Sequence, residues 1–142
     1  MQMPSEATQD VWIRLNCAQR RVKASIEAAL REAGFPCLDW YGVLLHLKRD
    51  ENGRLSPREI ERGLLFEQYN LSRLLDRMET EGLVRRIPYP GDKRRQLVEI
   101  TERGRDLQKR MWPVYGAAID RFVGSQFADT ETEQLASLLG RL

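Results

Sequence analysis

The chain has 142 residues, the size of one domain, and can bury a core without disulfides or a metal. Hydrophobic residues make up 42% and charged residues 31%, too apolar for a disordered chain, and no apolar run approaches the roughly 20 residues of a membrane span. Two cysteines and one histidine argue against a disulfide scaffold and most histidine-based metal sites. Met1–Asp10 lacks the basic flank and apolar stretch of a secretory signal, so a cytoplasmic protein is expected.

The net charge of +2 is unevenly placed. Arg85 to Arg110 holds nine basic and four acidic residues, while the rest of the chain is near balance or acidic. A focused excess of this kind suits a polyanionic partner, the alternative being a solvated loop and helix face.

In chain order, Val11, Leu15, Ala18, Val22, Ile26 and Ala29 step by three and four, the apolar stripe of a helix that Gly34 and Pro36 end. The stripe is narrow and heptad-like, which asks for a partner helix. Asp39 to Lys48, with Asp39 as cap, is apolar nearly all round and predicts a buried helix; Arg49 to Arg54 predicts a turn. Ser56, Pro57 and Glu59 form a capping box with proline at the first helical position, and that helix runs to about Leu64. A second helix is expected to begin near Glu67, to carry Leu71, Leu74, Leu75 and Met78 on one face, and to end at Gly82. The pair has a helix-turn-helix outline.

Leu83 to Tyr89 predicts a strand, Pro90 to Arg95 a turn, and Gln96 to Ile100 a returning strand, giving a two-stranded hairpin with a basic tip. Thr101 caps a long helix striped by Leu107, Met111, Val114, Ala118 and Phe122, with Pro113 inside it. Asp129 is expected to cap a last helix with Leu135, Leu138, Leu139 and Leu142 on one face. The fold class is mainly α with a small β-hairpin wing.

These elements resemble the MarR-type winged-helix transcriptional regulators over nearly the whole chain. The resemblance is carried by Tyr41-Gly42-Val43-Leu44, Leu55-Ser56-Pro57-Arg58-Glu59-Ile60, Leu71 to Glu79, Gly82-Leu83-Val84-Arg85-Arg86, Asp92-Lys93-Arg94-Arg95 and Val98 to Arg105. It implies a single domain over 1–142, with 35–103 a winged helix-turn-helix lobe and 1–34 and 104–142 joining two copies as a homodimer. It also implies regulation of nearby genes, chiefly repression, relieved by a small molecule or an oxidant. By resemblance Arg94 is the wing arginine and Asp92 orients the hairpin. Glu67 departs from the family's Ser, Thr or Asp at the start of the recognition helix, which shifts phosphate contact toward Tyr69, Ser72, Arg73 and the wing.

The residues support that picture on their own. A helix entering the major groove needs one anchored apolar face, and Gln68, Tyr69, Asn70, Ser72, Arg73 and Arg77 supply donors for bases and phosphates. Lys93, Arg94 and Arg95 can follow phosphates, and one arginine can enter a narrow minor groove. A helix-turn-helix dimer reads half-sites about 34 Å apart, so the expected partner is near-palindromic double-stranded DNA.

The competing reading is a winged-helix protein-interaction module without specific DNA binding. No phosphate loop or nucleophile elbow is present, and neither an enzyme, a cofactor nor a metal is expected. Trp12, Trp40, Tyr41, His46, Trp112 and Tyr115 are candidates for lining a pocket for a small aromatic effector, each with a core role as its alternative. Cys17, near Arg14, Arg20 and Arg21, is a candidate redox residue, with inert packing as its alternative.

Overall fold

A computed structural model describes all residues, 1–142. The elements run α1 (Glu6–Glu32), α2 (Leu38–Arg49), β1 (Arg54–Leu55), α3 (Pro57–Gly63), α4 (Leu71–Thr80), β2 (Val84–Tyr89), β3 (Asp92–Ile100), α5 (Glu102–Phe122), a 3-10 turn (Gly124–Gln126) and α6 (Asp129–Leu139). The chain divides into two compact units, 34–113 and 1–33 with 114–142, and α5 passes from one to the other at Pro113.

In the unit 34–113, α2 is buried through Leu38, Tyr41, Val43, Leu44 and Leu47 and packs on α3 and β3, while α4 packs on α3 and β2; Ile60 of α3, Leu71, Leu75 and Met78 of α4, and Val84, Val98 and Ile100 of the sheet are buried with it. Leu107 and Met111 of α5 are buried as well. Gln108 is the one buried polar side chain, and its bonds are satisfied: Lys48 Nζ donates to its Oε1 at 2.8 Å and its Nε2 donates to the Tyr41 hydroxyl at 3.2 Å. His46 donates from Nε2 to the Gly63 carbonyl and so ties α2 to the end of α3.

The sheet has three strands, in the order β1-β3-β2, all antiparallel. The expected two-stranded hairpin therefore gains a third strand. Arg54 and Leu55, the first read as part of a turn, pair with Glu99 and Val98. A two-residue strand has no periodicity to show; only the distant β3 defines it. Glu99 accepts from Arg54 Nε at 2.6 Å and from Arg85 Nε at 2.8 Å, a charged row across all three strands. The Arg54 hydrogen bond leads in holding the Glu99 carboxyl below its ordinary range, against a weaker opposing effect of burial, with Arg85 adding to it.

In the other unit, Ile26 and Leu30 of α1 and Ala118 of α5 are buried. Val11, Trp12, Ile13 and Leu15 of α1 are exposed, as are Phe127, Leu135, Leu138, Leu139 and Leu142 around α6.

Two expected caps move toward the N-terminus, one by two residues and one by a single residue. Asp39 lies in the first turn of α2, whose N-cap is Cys37, and Asp129 is the first residue of α6, whose N-cap is Ala128. The Ala128 N–H is instead met by the Glu131 carboxylate at 2.9 Å. Both aspartates still face the positive end of a helix dipole, which is favourable without a capping bond. The Ser56–Glu59 capping box forms as expected.

Candidate nucleic-acid interface

The second helix of the helix-turn-helix begins later than its sequence suggests. Leu64 to Asn70 is a loop, and α4 starts at Leu71, where the Asn70 side chain accepts from the Arg73 N–H at 3.1 Å. Gln68 and Tyr69 thus precede the helix, and Tyr69 is fully exposed. Glu67 is therefore not at the helix start; a short polar cap, Asn70, holds that position.

From Leu71 onward the helix separates its faces. Leu71, Leu75 and Met78 are buried, while Ser72, Arg73 and Arg77 are exposed. The C-terminus closes in a Schellman arrangement: Leu83 N–H bonds the Met78 carbonyl at 3.0 Å and Gly82 N–H the Glu79 carbonyl at 2.9 Å, with Gly82 at φ +76°. The chain is thereby turned directly into β2.

Arg86, which the residues alone did not single out, joins α4 to β2. Its Nη1 lies 2.8 Å from Asp76 Oδ1 and 3.1 Å from Glu79 Oε1, its Nη2 donates to the Ser72 carbonyl at 3.2 Å, and its backbone N–H donates to Glu79 Oε2 at 2.9 Å. The strand pattern carried a signal for it. Val84 pairs with Ile100 and Arg86 with Val98, so Arg86 occupies the core-facing row of the hairpin, where an arginine needs partners.

The hairpin turn is tighter than expected. Pro90 and Gly91 alone make it, Gly91 at φ +81° as a type II turn requires, and Tyr89 pairs with Asp92. Lys93, Arg94 and Arg95 are not in that turn. They lie within β3 as an irregular bulge, because the next pair after Tyr89–Asp92 is Pro88–Gln96. All three are exposed. Asp92 Oδ1 accepts from the Arg94 N–H at 3.0 Å and shapes the bulge, while the Arg95 guanidinium sits 4.4 Å from the centre of the Tyr89 ring. Thr101 then accepts from the Gly104 N–H at 3.0 Å, and donates to the Gly82 carbonyl at 2.7 Å, tying the start of α5 to the end of α4.

Of the proposed effector residues, Trp40 lines two shallow grooves of about 290 Å³ each. One is shared with Arg73, Asp76, Arg77, Thr80 and Glu81, and the other with Pro36, Glu81, Leu83, Arg103, Leu107 and Arg110. Tyr41 and His46 line neither groove; they are engaged by Gln108 and Gly63. Trp12 and Trp112 are exposed and Tyr115 is half-buried. Cys17 is half-buried with Arg20 Nη2 3.9 Å from its sulfur, and neither it nor Cys37 is in a disulfide. No group of three His, Cys, Asp or Glu side chains is placed to hold a metal, and no helix is long and apolar enough to cross a membrane.

A capped α3–α4 pair followed by a three-stranded sheet with a basic, bulged hairpin defines a winged helix-turn-helix protein. The MarR family model matches residues 36–95, which include α2, the helix-turn-helix and the hairpin up to the bulge. PecS of Dickeya dadantii, an HTH-type transcriptional regulator, is 33% identical over 88 residues, covering 62% of this chain; the match spans about half, 52%, of PecS itself. Among solved structures, the MarR family regulator Sco3205 of Streptomyces coelicolor in complex with DNA has a TM-score of 0.86 at 23% identity, covering 98% of this chain and 87% of that one. BpsR of Bordetella bronchiseptica, whose DNA binding is regulated by 6-hydroxynicotinic acid, has a TM-score of 0.81 at 21% identity, with 98% and 96% covered. Over residues 36–95 the chain is thus similar to the MarR family, and it shares the fold of that family's solved members over nearly its whole length.

Proposed function

We propose that this chain is a homodimeric transcriptional repressor that binds a near-palindromic DNA duplex, with α4 in the major groove and the β2–β3 hairpin on the flanking backbone. The observation that carries the reading is the division of labour within residues 34–113. Leu71, Leu75 and Met78 anchor α4 while Ser72, Arg73 and Arg77 stay open, and the wing of the same unit exposes Lys93, Arg94 and Arg95. Ser72, Arg73 and Arg77 read bases and phosphates from the helix, with Gln68, Tyr69 and Asn70 at its entry; Lys93, Arg94 and Arg95 follow the backbone, and Asp92 holds Arg94 in place. Two proteins of this fold support it: Sco3205, solved in complex with DNA, and BpsR, whose DNA binding is regulated by 6-hydroxynicotinic acid.

The exposed apolar residues of α1 and α6 support pairing with a second copy, which sets two recognition helices about one DNA turn apart. The finer regulatory part is release by a small aromatic effector. Trp40, with arginines beside it in both grooves, is the residue best placed to stack such a ring. Cys17 is retained as a redox candidate only through its contact with Arg20.

The deciding experiment is selection of random duplexes on the purified protein at about 150 mM salt, followed by a salt titration on the winner. The expected result is a palindrome whose affinity falls with salt at a logarithmic slope of about −0.9 per phosphate neutralised. Arg94→Ala should lower affinity across all sequences and flatten that slope by about one phosphate, whereas Arg73→Ala should relax preference at one base position. Retention that is unselective, or binding that ignores salt, overturns the reading in favour of a protein-docking module.

A further inference from the structure

The hydrogen bonds and ion pairs of Arg86 to α4 fall on Ser72, Asp76 and Glu79, which are spaced four and three residues apart and form one stripe along the helix. Arg73 and Arg77 each follow a member of that stripe by one residue, so they occupy the neighbouring stripe, about 100° around the axis. Of the partners of Arg86 only Ser72, held through its main-chain carbonyl, is also proposed to face DNA; together the three fix the rotation of the helix that presents Arg73 and Arg77. The apolar anchor alone leaves this rotation loose, since packed leucine and methionine side chains tolerate small axial turns that directional bonds do not.

The lever is short. Side chains reach roughly 5–6 Å from a helix axis, so a turn of about 20° moves their tips by about 2 Å, which breaks a bidentate contact with a base. The other end of the lever is in the wing. Arg86 pairs with Val98 in the hairpin, two register steps from the Gln96–Pro88 pair where the bulge of Lys93 to Arg95 begins. Its backbone N–H and its guanidinium both engage Glu79, so α4 is bonded to the main chain and to the side chain of the same β2 residue.

We infer that Arg86 is a positioning residue for sequence recognition: by clamping the Ser72–Asp76–Glu79 stripe to β2 it sets the rotation of α4 relative to the wing, so that helix and wing read one site in register. This rests on the DNA-binding reading given above. The guanidinium of Arg86 is spent on α4 and not on DNA, so the clamp contributes to discrimination between sequences more than to overall attraction. The planar fork of arginine spans two carboxylates and a carbonyl from separate nitrogens; a lysine keeps the charge but concentrates its donors on one nitrogen and cannot span the same partners with that geometry.

The test uses the full-length protein and the duplex selected on the wild type, with a scrambled duplex of the same length as reference. Arg86→Lys is expected to lower affinity for the selected duplex about tenfold or more, while affinity for the scrambled duplex and the salt slope stay within twofold. In the Arg86→Lys background the penalty of Arg73→Ala is expected to shrink by several fold, because Arg73 is no longer aimed at its base. Ile60→Val, a core change in the same unit chosen to lower the melting temperature as much, separates positioning from stability, and is expected to leave the ratio of selected to scrambled affinity unchanged. The inference is overturned if Arg86→Lys preserves that ratio and the full Arg73→Ala penalty, or if Ile60→Val lowers the ratio equally. A wild-type protein that selects no sequence removes the DNA reading itself, and the inference with it.

Discussion

Residues 34–113 and the unit formed by 1–33 and 114–142 contain similar kinds of sequence and differ in what they bury. The first places fifteen apolar residues, from Leu38 to Met111, out of solvent and satisfies its one buried polar side chain. The second buries Ile26, Leu30 and Ala118 but leaves Val11, Trp12, Ile13 and Leu15, and the leucines at 135, 138, 139 and 142, open. Amphipathic helices are stable when their apolar face is covered, and a stripe open along two helices of one unit is characteristic of a surface that another chain covers. The first unit closes on its own core, whereas the second leaves open the apolar face on which the proposed pairing of two copies rests.

The largest expected effect breaks this contrast at its open side. Leu138→Glu lies on the exposed face of α6, so the lobe should remain folded by circular dichroism. Sedimentation should show a dimer becoming a monomer, and affinity for the selected palindrome should fall by a hundredfold or more. A variant that remains dimeric would place the interface elsewhere. Next in size is a break within the closed core. Ile60 is fully buried in α3, and Ile60→Ala should cost about 2–5 kcal/mol of unfolding free energy by the lost transfer term and the cavity left behind. Chemical denaturation of the monomeric Leu138→Glu background would read this cost without the dimer's contribution.

How much of this contrast could be read from the sequence depended on the range of the interactions. The narrow stripes of Val11 to Ala29 and Leu107 to Phe122, the capping box at Ser56 and the glycine stop at Gly82 are local patterns, and all lie where the sequence placed them. The start of α4 was misjudged because Glu67 to Asn70 is polar and helix-compatible, and Asn70 ends the loop through a bond to Arg73 that is visible only once the helix exists. β1 and the bulge at Lys93 to Arg95 depend on register with a strand more than forty residues away or on an irregular pairing, neither of which leaves a period in the sequence. Arg86 stands between. Its alternation with Val84 is a local sign of a core-facing arginine that went unread, and its partners lie on α4. For the residues proposed to contact DNA, burial separates the anchor Leu71, Leu75 and Met78 from the open face of α4 with Ser72, Arg73 and Arg77.

A smaller effect sharpens the comparison inside the lobe. Asn70 is the cap that fixes where the loop ends and the reading helix starts. Asn70→Ala should lower stability by about 1 kcal/mol, within the range of roughly 0.5–2 found for lost N-caps. Amide exchange should quicken in the first turn of α4 while α2 and the sheet keep their protection. Uniform loss of protection would mean the helix start is not an independent local unit.

The smallest expected effect lies at the surface of the same lobe, on Glu99. Its bonds to Arg54 and Arg85 hold the folded carboxyl below its ordinary range, whereas in the unfolded chain it titrates near about 4.3. The folded state therefore binds fewer protons than the unfolded one in the interval between the two values. Its stabilising contribution is complete above the unfolded value and is lost as pH falls through the folded one. Glu99→Gln removes that contribution at every pH. The wild type should melt higher than the variant at pH 7, by no more than a few degrees because Arg54 and Arg85 are well exposed and solvent screens the pairs. The gap should close as the pH is lowered from 5 toward 3 and shrink when salt is raised at pH 7. A gap that persists unchanged at pH 3 would mean Glu99 supports the sheet by packing, and that the charged row across β1, β3 and β2 adds nothing by its charge.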